Sequence, residues 1–487
     1  MGHSDWQTVR EKFQQIWGYH EFRPPQGEIV QSLLAGQDAL IVLPTGGGKS
    51  ICFQLPALLQ AGLTVVVSPL VALMENQVQE LRDRNLPAAS LHSELPRRSK
   101  QYTLRNLKRL RLLYLSPETL LNPQVWEVLA MPDLPINGLI LDEAHCLVQW
   151  GETFRPAYRR LGTVRPALQA RKPDSRMAIA AFTATADSTA QQILSQVLQL
   201  QNPQHYCYSP YRPNLHLAVK RVWTPKGRRQ QTLNFIRQQG RNAGLVYVRS
   251  RSEGEALAKW LQGKGYATAA YHAGLSPDQR RSLEHQWLKG QLQFVVCTSA
   301  FGMGINKPNV RWVVHFQPPV LLSEYVQEIG RGGRDGKPAF ALTLVGERTG
   351  FFNPEDKNRD RFFLQKQEQQ YQKAAQLMPQ LPQQGNIAQL LKQIPKSSVA
   401  LSLLHSAGLL EYPDPFHYQQ KAGNPSQSLR RLMRQQQKTY QKMQQFLATK
   451  DCRWQFLLQA FGFQEEANGF RCGHCDRCSS RNHMTSG

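Results

Sequence analysis

Three constellations in this 487-residue sequence combine residue types and spacings that could do chemistry. The first is L-P-T-G-G-G-K-S (43–50), which follows a run read as a strand and precedes a helical run. Backbone N–H groups from Thr45 through Gly46, Gly47 and Gly48 could wrap a phosphate chain, aided by the positive end of the following helix. Lys49 would reach the β- and γ-phosphates, and Ser50 would ligate Mg²⁺. Leu43 stands where such loops usually begin with Gly. The second constellation is G-L-I-L-D-E-A-H (138–145), a strand ending in two acids. Asp142 would hold Mg²⁺ through water, and Glu143 would orient and deprotonate the attacking water. Together these two imply a nucleoside triphosphatase. The third is C-x19-C-x2-C-x2-C, formed by Cys452, Cys472, Cys475 and Cys478. Four thiolates suit a closed tetrahedral Zn²⁺ site, an iron–sulfur cluster would use the same ligands, and free thiols are the third reading.

Directly after the acids comes H-C-L-V-Q-W-G-E-T-F-R-P-A-Y (145–158). Trp150, Phe154 and Tyr158 are four apart and interleaved with Arg155. Aromatics with Arg can stack on unpaired bases, although the same spacing fits a helical core stripe. Adjacency to the catalytic acids favours base contact coupled to hydrolysis.

These groups need elements to position them. Near-continuous apolar runs at 39–43, 64–68, 111–115, 138–142 and 177–182 read as parallel strands buried on both faces. A second set lies at 244–248, 294–298, 311–316 and 339–345, which predicts two tandem parallel-sheet α/β domains. Beyond about residue 346 Gln becomes abundant and strands become rare. Residues 357–377 read as a polar helix. Two short helices, a strand, a turn and an aromatic strand then suggest a winged helix over 386–418. Phe416, His417 and Tyr418 would be either a wing tip that splits base pairs or a wing packed on its own helices. Asn424-Pro425 starts a further helix, whose basic residues Arg430, Arg431, Arg434, Lys438 and Lys442 are a solvated face or a DNA contact.

The charge is strongly positive, 59 Lys and Arg against 35 Asp and Glu, or +24. This favours a polyanionic partner. A membrane partner is disfavoured, because the longest apolar stretch, Leu63 to Met74, is broken by Ser68 and Pro69 and is shorter than the ~20 residues of a span. The first residues lack the apolar region of a signal peptide. Scattered Cys52, Cys146, Cys207 and Cys297 do not resemble a secreted disulfide framework. A cytoplasmic protein is expected, nucleoid-associated if bacterial.

With these motifs in order, the sequence resembles the RecQ-type DNA helicases of superfamily two, closely over residues 13–345 and again at the cysteines. The segment W-G-Y-H-E-F-R-P-P-Q (17–26) is similar to the family's adenine-reading motif; by resemblance Gln26 would bond adenine, with Tyr19 and Arg23 packed around it. S-P-L-V-A-L-M-E-N-Q-V (68–78) is similar to its DNA-backbone segment and A-F-T-A-T-A (181–186) to its coupling motif. C-T-S-A-F-G-M-G-I-N-K-P (297–308), with Asn306, resembles the motif that touches DNA and nucleotide. In Y-V-Q-E-I-G-R-G-G-R-D-G (325–336), Arg331 and Arg334 would face the γ-phosphate from one side of a helix, Arg334 as the arginine finger. The aromatic loop departs from the family at Glu152 and Thr153, where a His-Asp pair is usual. The resemblance implies Zn²⁺ at the four cysteines.

The family usually places the zinc subdomain before the winged helix. Here the order is reversed, and with nine residues after Cys478 no further domain is expected there. The expected layout is two RecA-like domains (1–205, binding ATP, and 206–345), a helical linker (346–379), a winged-helix-like domain (380–424) and a helical four-cysteine zinc subdomain (425–482). The expected function is an ATP- and Mg²⁺-dependent 3′→5′ DNA helicase acting on single-stranded and tailed or forked duplex DNA in recombination, repair or fork maintenance. Alternatives are a duplex translocase or fork-remodelling motor, an RNA helicase, and an inactive DNA-binding scaffold. The sequence names no protein partner.

Overall fold

The computed structural model describes residues 6–44, 46–149, 155–173, 175–301, 305, 307–347 and 354–482. Two compact units divide the chain: Met1–Tyr208 with Gln369–Met433, and Ser209–Glu368 with Arg434–Gly487.

The first unit is built on seven strands: β1 (Ala39–Val42), β2 (Leu63–Val67), β3 (Ala88–Leu91), β4 (Leu112–Leu115), β5 (Ile136–Leu141), β6 (Ala178–Thr183) and β7 (Gln204–Cys207). They pair in the order β3-β4-β2-β5-β6-β1-β7, all parallel. Helices cover both faces, so the central strands are buried on both sides, which is why their sequences are apolar without alternation. Asp38 fastens the strands next to β1. Its carboxylate accepts from Ile179 N at 2.8 Å and Gln201 N at 2.6 Å, and from Arg165 Nη1 at 2.7 and 2.8 Å. One buried group thus ties the starts of β1 and β6 to the segment leading into β7.

The same unit contains the winged-helix-like insert. Strands β14 (Gln384–Asn386), β15 (Leu410–Glu411) and β16 (His417–Gln420) form an antiparallel sheet in the order β14-β16-β15. Helices Ile387–Gln393 and Ser398–Ser406 lie between β14 and β15. Leu390, Leu401, Leu404, Leu410 and Tyr418 share its core with Tyr371 and Leu429 from the flanking helices.

The second unit holds β8 (Leu215–Arg221), β9 (Gly244–Tyr247), β10 (Thr268–Tyr271), β11 (Phe294–Cys297), β12 (Trp312–His315) and β13 (Ala339–Val345). These are again all parallel, in the order β10-β11-β9-β12-β13-β8. The four-cysteine subdomain shares a core with this sheet. Met443, Phe446, Trp454 and Cys475 pack with Leu215, Tyr325 and Ala341, and Trp454 Nε1 donates to Leu215 O at 3.1 Å.

The nine strands expected in the two sheet domains and the two expected in the insert are present, and β3, β7, β8, β10 and β14 are additional. A-A-S-L and T-A-A-Y carry too few branched residues to signal a strand, β7 is mostly exposed, and edge strand β8 ends in Lys and Arg. Two 24-residue helices, Pro354–Leu377 and Pro425–Ala448, flank the insert in sequence. No helix among the described residues is long and apolar enough to cross a membrane.

Candidate nucleotide and zinc sites

Strand order brings the first two constellations together. β6 lies between β1 and β5, so the segments leaving these three strands are neighbours at the carboxyl edge of the sheet. That edge is where open α/β sheets bind ligands. Val42 pairs with Thr183 and Leu141 with Ala181. Leu43 N donates to Thr183 O at 3.0 Å, and Ala144 N to Phe182 O at 2.8 Å.

The glycine loop leads from β1 into the helix Lys49–Leu59. Gly46 and Gly48 adopt φ of 87° and 72°, the left-handed region that costs glycine little. Gln26 reaches across to this loop. Its Nε2 donates to Gly47 O at 3.1 Å, while its Oε1 accepts from Arg23 N at 3.0 Å. Gln26 is therefore held in a fixed rotamer against the loop. Tyr19 is half exposed, beside Phe13 at 5.9 Å between ring centroids, which leaves a face available to a base. Thr45 lies outside the described residues.

Lys49 Nζ is buried without a hydrogen-bond acceptor among the described residues, 3.9 Å from Glu143 Oε2. An ammonium group so placed fits a phosphate oxygen. Glu143 sits at φ 53°, an uncommon conformation for a non-glycine residue. Its Oε2 also lies 3.2 Å from His145 Nδ1, which is 3.3 Å from Thr183 Oγ1. Asp142 is buried, accepts from Gln77 Nε2 at 3.1 Å and from Glu143 N at 3.0 Å. Burial first, and the Glu143 charge second, push the Asp142 carboxyl up to about 6, against the pull of Lys49 and Gln77. Glu143 faces Lys49 while Asp142 is buried one residue earlier, and two adjacent carboxylates are an oxygen donor set that fits Mg²⁺.

Gln77, His145 and Thr183 belong to segments noted in the sequence but were not singled out there. Their link to Glu143 and Asp142 depends on strand order, which no local pattern reports. Trp150 and Phe154 lie outside the described residues, as does Asn306. Arg155 pairs with Glu118 at 3.3 Å. Tyr158, part of the same aromatic spacing, is fully buried in a 3-10 segment, Pro156–Thr163, so that residue is core.

One expectation needs correction. Arg331 and Arg334 are not on a helix. The helix Leu322–Ile329 ends first, and both arginines lie in the turns that follow. Gly330 caps the helix and Gly333 has φ 58°, a left-handed backbone through which no α-helix continues; a Cβ there would meet Asn214 Nδ2 at 2.4 Å and Lys337 O at 2.7 Å, so only glycine fits. Within the second unit, Arg331 is buried beside Tyr247, and Arg334 Nη1 donates to Ile305 O at 3.2 Å. Of the two readings open for the wing aromatics, Tyr418 and Phe416 take packed positions. Tyr418 is 1% exposed in the insert's own core. Phe416 packs edge-on against Trp126 at 5.3 Å, in the core of the first sheet domain. His417 remains exposed and pairs with Asp414 at 2.8 Å.

The four cysteines converge as their spacing suggests. Their Sγ atoms all lie within 4.8 Å of one another, with Cys472–Cys478 and Cys452–Cys475 each at 3.9 Å. A tetrahedron with arms of about 2.3 Å has edges of about 3.8 Å, the Zn–thiolate geometry. Backbone N–H groups of Cys472, Arg453 and Cys475 point at Cys452, Cys475 and Cys472 Sγ, at 3.3, 3.4 and 3.3 Å. Such donors stabilise thiolates and orient them. Asp476 locks the loop in place through Arg453 Nε at 2.9 Å and Val219 N at 3.3 Å.

Two parallel-sheet domains, a phosphate loop after the first strand and paired acids beside it define a two-domain helicase motor. Profile comparison finds the DEAD/DEAH box helicase family over residues 23–193, the helicase conserved C-terminal domain over 227–336 and the RecQ zinc-binding domain over 418–479. The chain is 50% identical over 481 residues to the ATP-dependent DNA helicase RecQ of Synechocystis, covering 98% of this chain and 99% of that one. It is 39% identical to the Haemophilus influenzae RecQ over 351 residues, covering 72% of this chain and 54% of that one. The chain belongs to the RecQ helicase family. The DEAD-box helicase Mss116 shares the fold, with a TM-score of 0.60 at 18% identity over 71% of this chain and 76% of that one. Mycobacterium smegmatis Lhr does so with a TM-score of 0.58 at 18% identity, over 88% of this chain and 61% of that one.

Proposed function

We propose that this RecQ-family, ATP-dependent DNA helicase moves 3′→5′ along single-stranded DNA and separates tailed or forked duplexes, in a cytoplasmic compartment and in the service of recombination, repair or fork maintenance. The main support is the meeting of Lys49, Asp142, Glu143 and Thr183 at three adjacent strand ends. Gln26 reads the adenine, with Tyr19 and Arg23 around it. The loop Thr45 to Gly48, Lys49 and Ser50 hold the phosphates. Mg²⁺, when bound, neutralises charge on the β- and γ-phosphates. Asp142 holds its water shell, and Glu143 orients and deprotonates the attacking water. Arg334, with Arg331 beside it, supplies positive charge to the transferred phosphoryl group. Trp150, Phe154, Arg155 and Asn306 contact the strand and pass its presence to the ATPase site.

A distance supports a relay at the second acid. Glu143 Oε2 lies between Lys49 and the His145–Thr183 pair, so a shift at the end of β6 changes the orientation of the carboxylate that handles water. Lys49→Ala should abolish ATP hydrolysis, a loss of more than about 100-fold, while DNA binding persists. Turnover that survives this substitution would remove the site assignment. Single-stranded DNA should stimulate ATP turnover where RNA of equal length does not, and a 3′-tailed duplex should be displaced while a 5′-tailed one is not. Stimulation by blunt duplex alone would instead mark a translocase, and equal stimulation by RNA an RNA helicase.

A further inference from the structure

The winged-helix-like insert is built into the first motor domain at one particular place. The helix Ser398–Ser406 packs on the 3-10 segment Pro156–Thr163. Arg160 Nη1 from that segment donates to Pro415 O at 2.7 Å, and Phe416 follows with its ring on Trp126. His405 and Tyr412 stack at 4.7 Å, and both lie within electrostatic reach of Arg159. In helix-turn-helix proteins the second helix enters the major groove. Here that helix buries Ala400, Leu401, Ser402, Leu403 and Leu404, so it has no face left for a groove.

The segment it holds is the continuation of the aromatic loop. Arg155 is its first neighbour, and Pro156–Thr163 packs in turn on the helix His145–Gln149, which starts two residues after Glu143. Tyr158 is buried there within electrostatic reach of Cys146 and Asp142. A continuous packed path therefore runs from the insert through Arg160 and Tyr158 to the catalytic acids, all within one compact unit.

We propose that the insert does not read DNA but braces this segment, and that Arg160 is a positioning residue for DNA-stimulated hydrolysis. The arginine ties Pro156–Thr163 to the insert, so that this segment stays packed on the helix that follows Glu143 when a strand binds. This rests on the coupling role proposed above for Trp150 to Arg155.

The test uses the full chain with Arg160→Ala, Arg160→Lys, Tyr412→Phe and Trp150→Ala. Basal ATP turnover, turnover saturated with single-stranded DNA, DNA affinity and thermal midpoint are measured for each. Arg160→Ala should lower the DNA-saturated turnover about five-fold, the scale of mutations along a coupling path, with basal turnover and DNA affinity unchanged. Arg160→Lys keeps the charge and one donor and should restore most of the loss. Tyr412→Phe removes the hydroxyl on which the Arg160 charge acts and keeps the packing, so it carries the test if Arg160→Ala does not fold; it too should lower only the stimulated turnover. Equal loss of basal and stimulated turnover would make the contact purely structural and overturn the proposal. A loss of DNA affinity in Tyr412→Phe would make the insert a DNA reader and overturn it as well. Trp150→Ala separates the two levels: if it leaves stimulation intact, the coupling loop itself is misassigned. If it abolishes stimulation while Arg160→Ala does not alter it, only the brace fails.

Discussion

Gly48 carries two constraints at once. It has φ 72°, and a Cβ at that position would sit 2.2 Å from Gln26 Nε2. Gly48→Ala therefore forces either the loop or the Gln26 side chain out of place, breaking the bond to Gly47 O. Nucleotide affinity should fall by about ten-fold or more, since misplaced positioning groups cost on that scale; equilibrium binding of a fluorescent ATP analogue measures it. Unchanged affinity would mean that the Gln26–Gly47 contact has no part in binding. The same residue-level view explains Glu143. Its left-handed backbone directs the carboxylate toward Lys49 and His145, whereas Asp142, one residue earlier, is turned toward Gln77. Adjacent acids thus acquire different surroundings and can take different roles.

At the level of elements, Asp38 fixes how β1, β6 and the approach to β7 sit against one another. Asp38→Ala would leave the Arg165 guanidinium buried without its carboxylate, along with two backbone N–H groups. A broken buried pair of this kind costs about 3–5 kcal/mol, and urea denaturation should register it as a lower midpoint. A midpoint equal to that of the parent would show that the strand starts are held by packing alone. The insert offers a pH-dependent counterpart. Burial, followed by the charges of Arg159 and Lys421, lowers the His405 imidazole to about 3. The unfolded chain takes up a proton near pH 6.5, whereas the folded chain does so only near 3. The unfolded state thus binds more protons in that window, so stability contributed by this group is complete above 6.5 and is lost as pH falls toward 3. His405→Gln should flatten the acid limb of stability against pH by up to about 1.4 kcal/mol per unit. An unchanged slope would place the proton uptake elsewhere.

For the molecule as a whole, the +24 charge is distributed over surfaces as well as sites. Lys49 and Arg331 are buried or half-buried, but Arg430, Arg431, Arg434 and Lys438 lie on the polar side of the helix Pro425–Ala448, exposed or half-buried. Affinity for single-stranded DNA should drop steeply with salt, with a log–log slope of about −3 if four or five phosphates are neutralised. Fluorescence anisotropy over a salt series measures the slope. A slope near zero would mean that the surplus charge serves solubility instead of strand binding. The units also divide the accessory parts: the insert shares a core with the first motor domain and the zinc subdomain with the second.

The sequence alone determined the motor class, because phosphate loops, strand-terminal acids and thiolate quartets are local patterns legible from their spacing. It also determined the two-sheet class, since strands buried on both faces must be apolar throughout. What it could not determine was decided by pairs of residues far apart in the chain. That β6 lies between β1 and β5 brings Thr183 and His145 to Glu143, and nothing near residue 183 encodes that order. Arg331 and Arg334 lie in turns because the backbone at Gly333 is left-handed and passes so close to Asn214 and Lys337 that no Cβ would fit. Phe416 and Tyr418 fit either base contact or a packed wing, because aromatic wings and aromatic cores have the same composition. Their burial depends on Trp126 and on the partner helices, so only tertiary packing could distinguish the two.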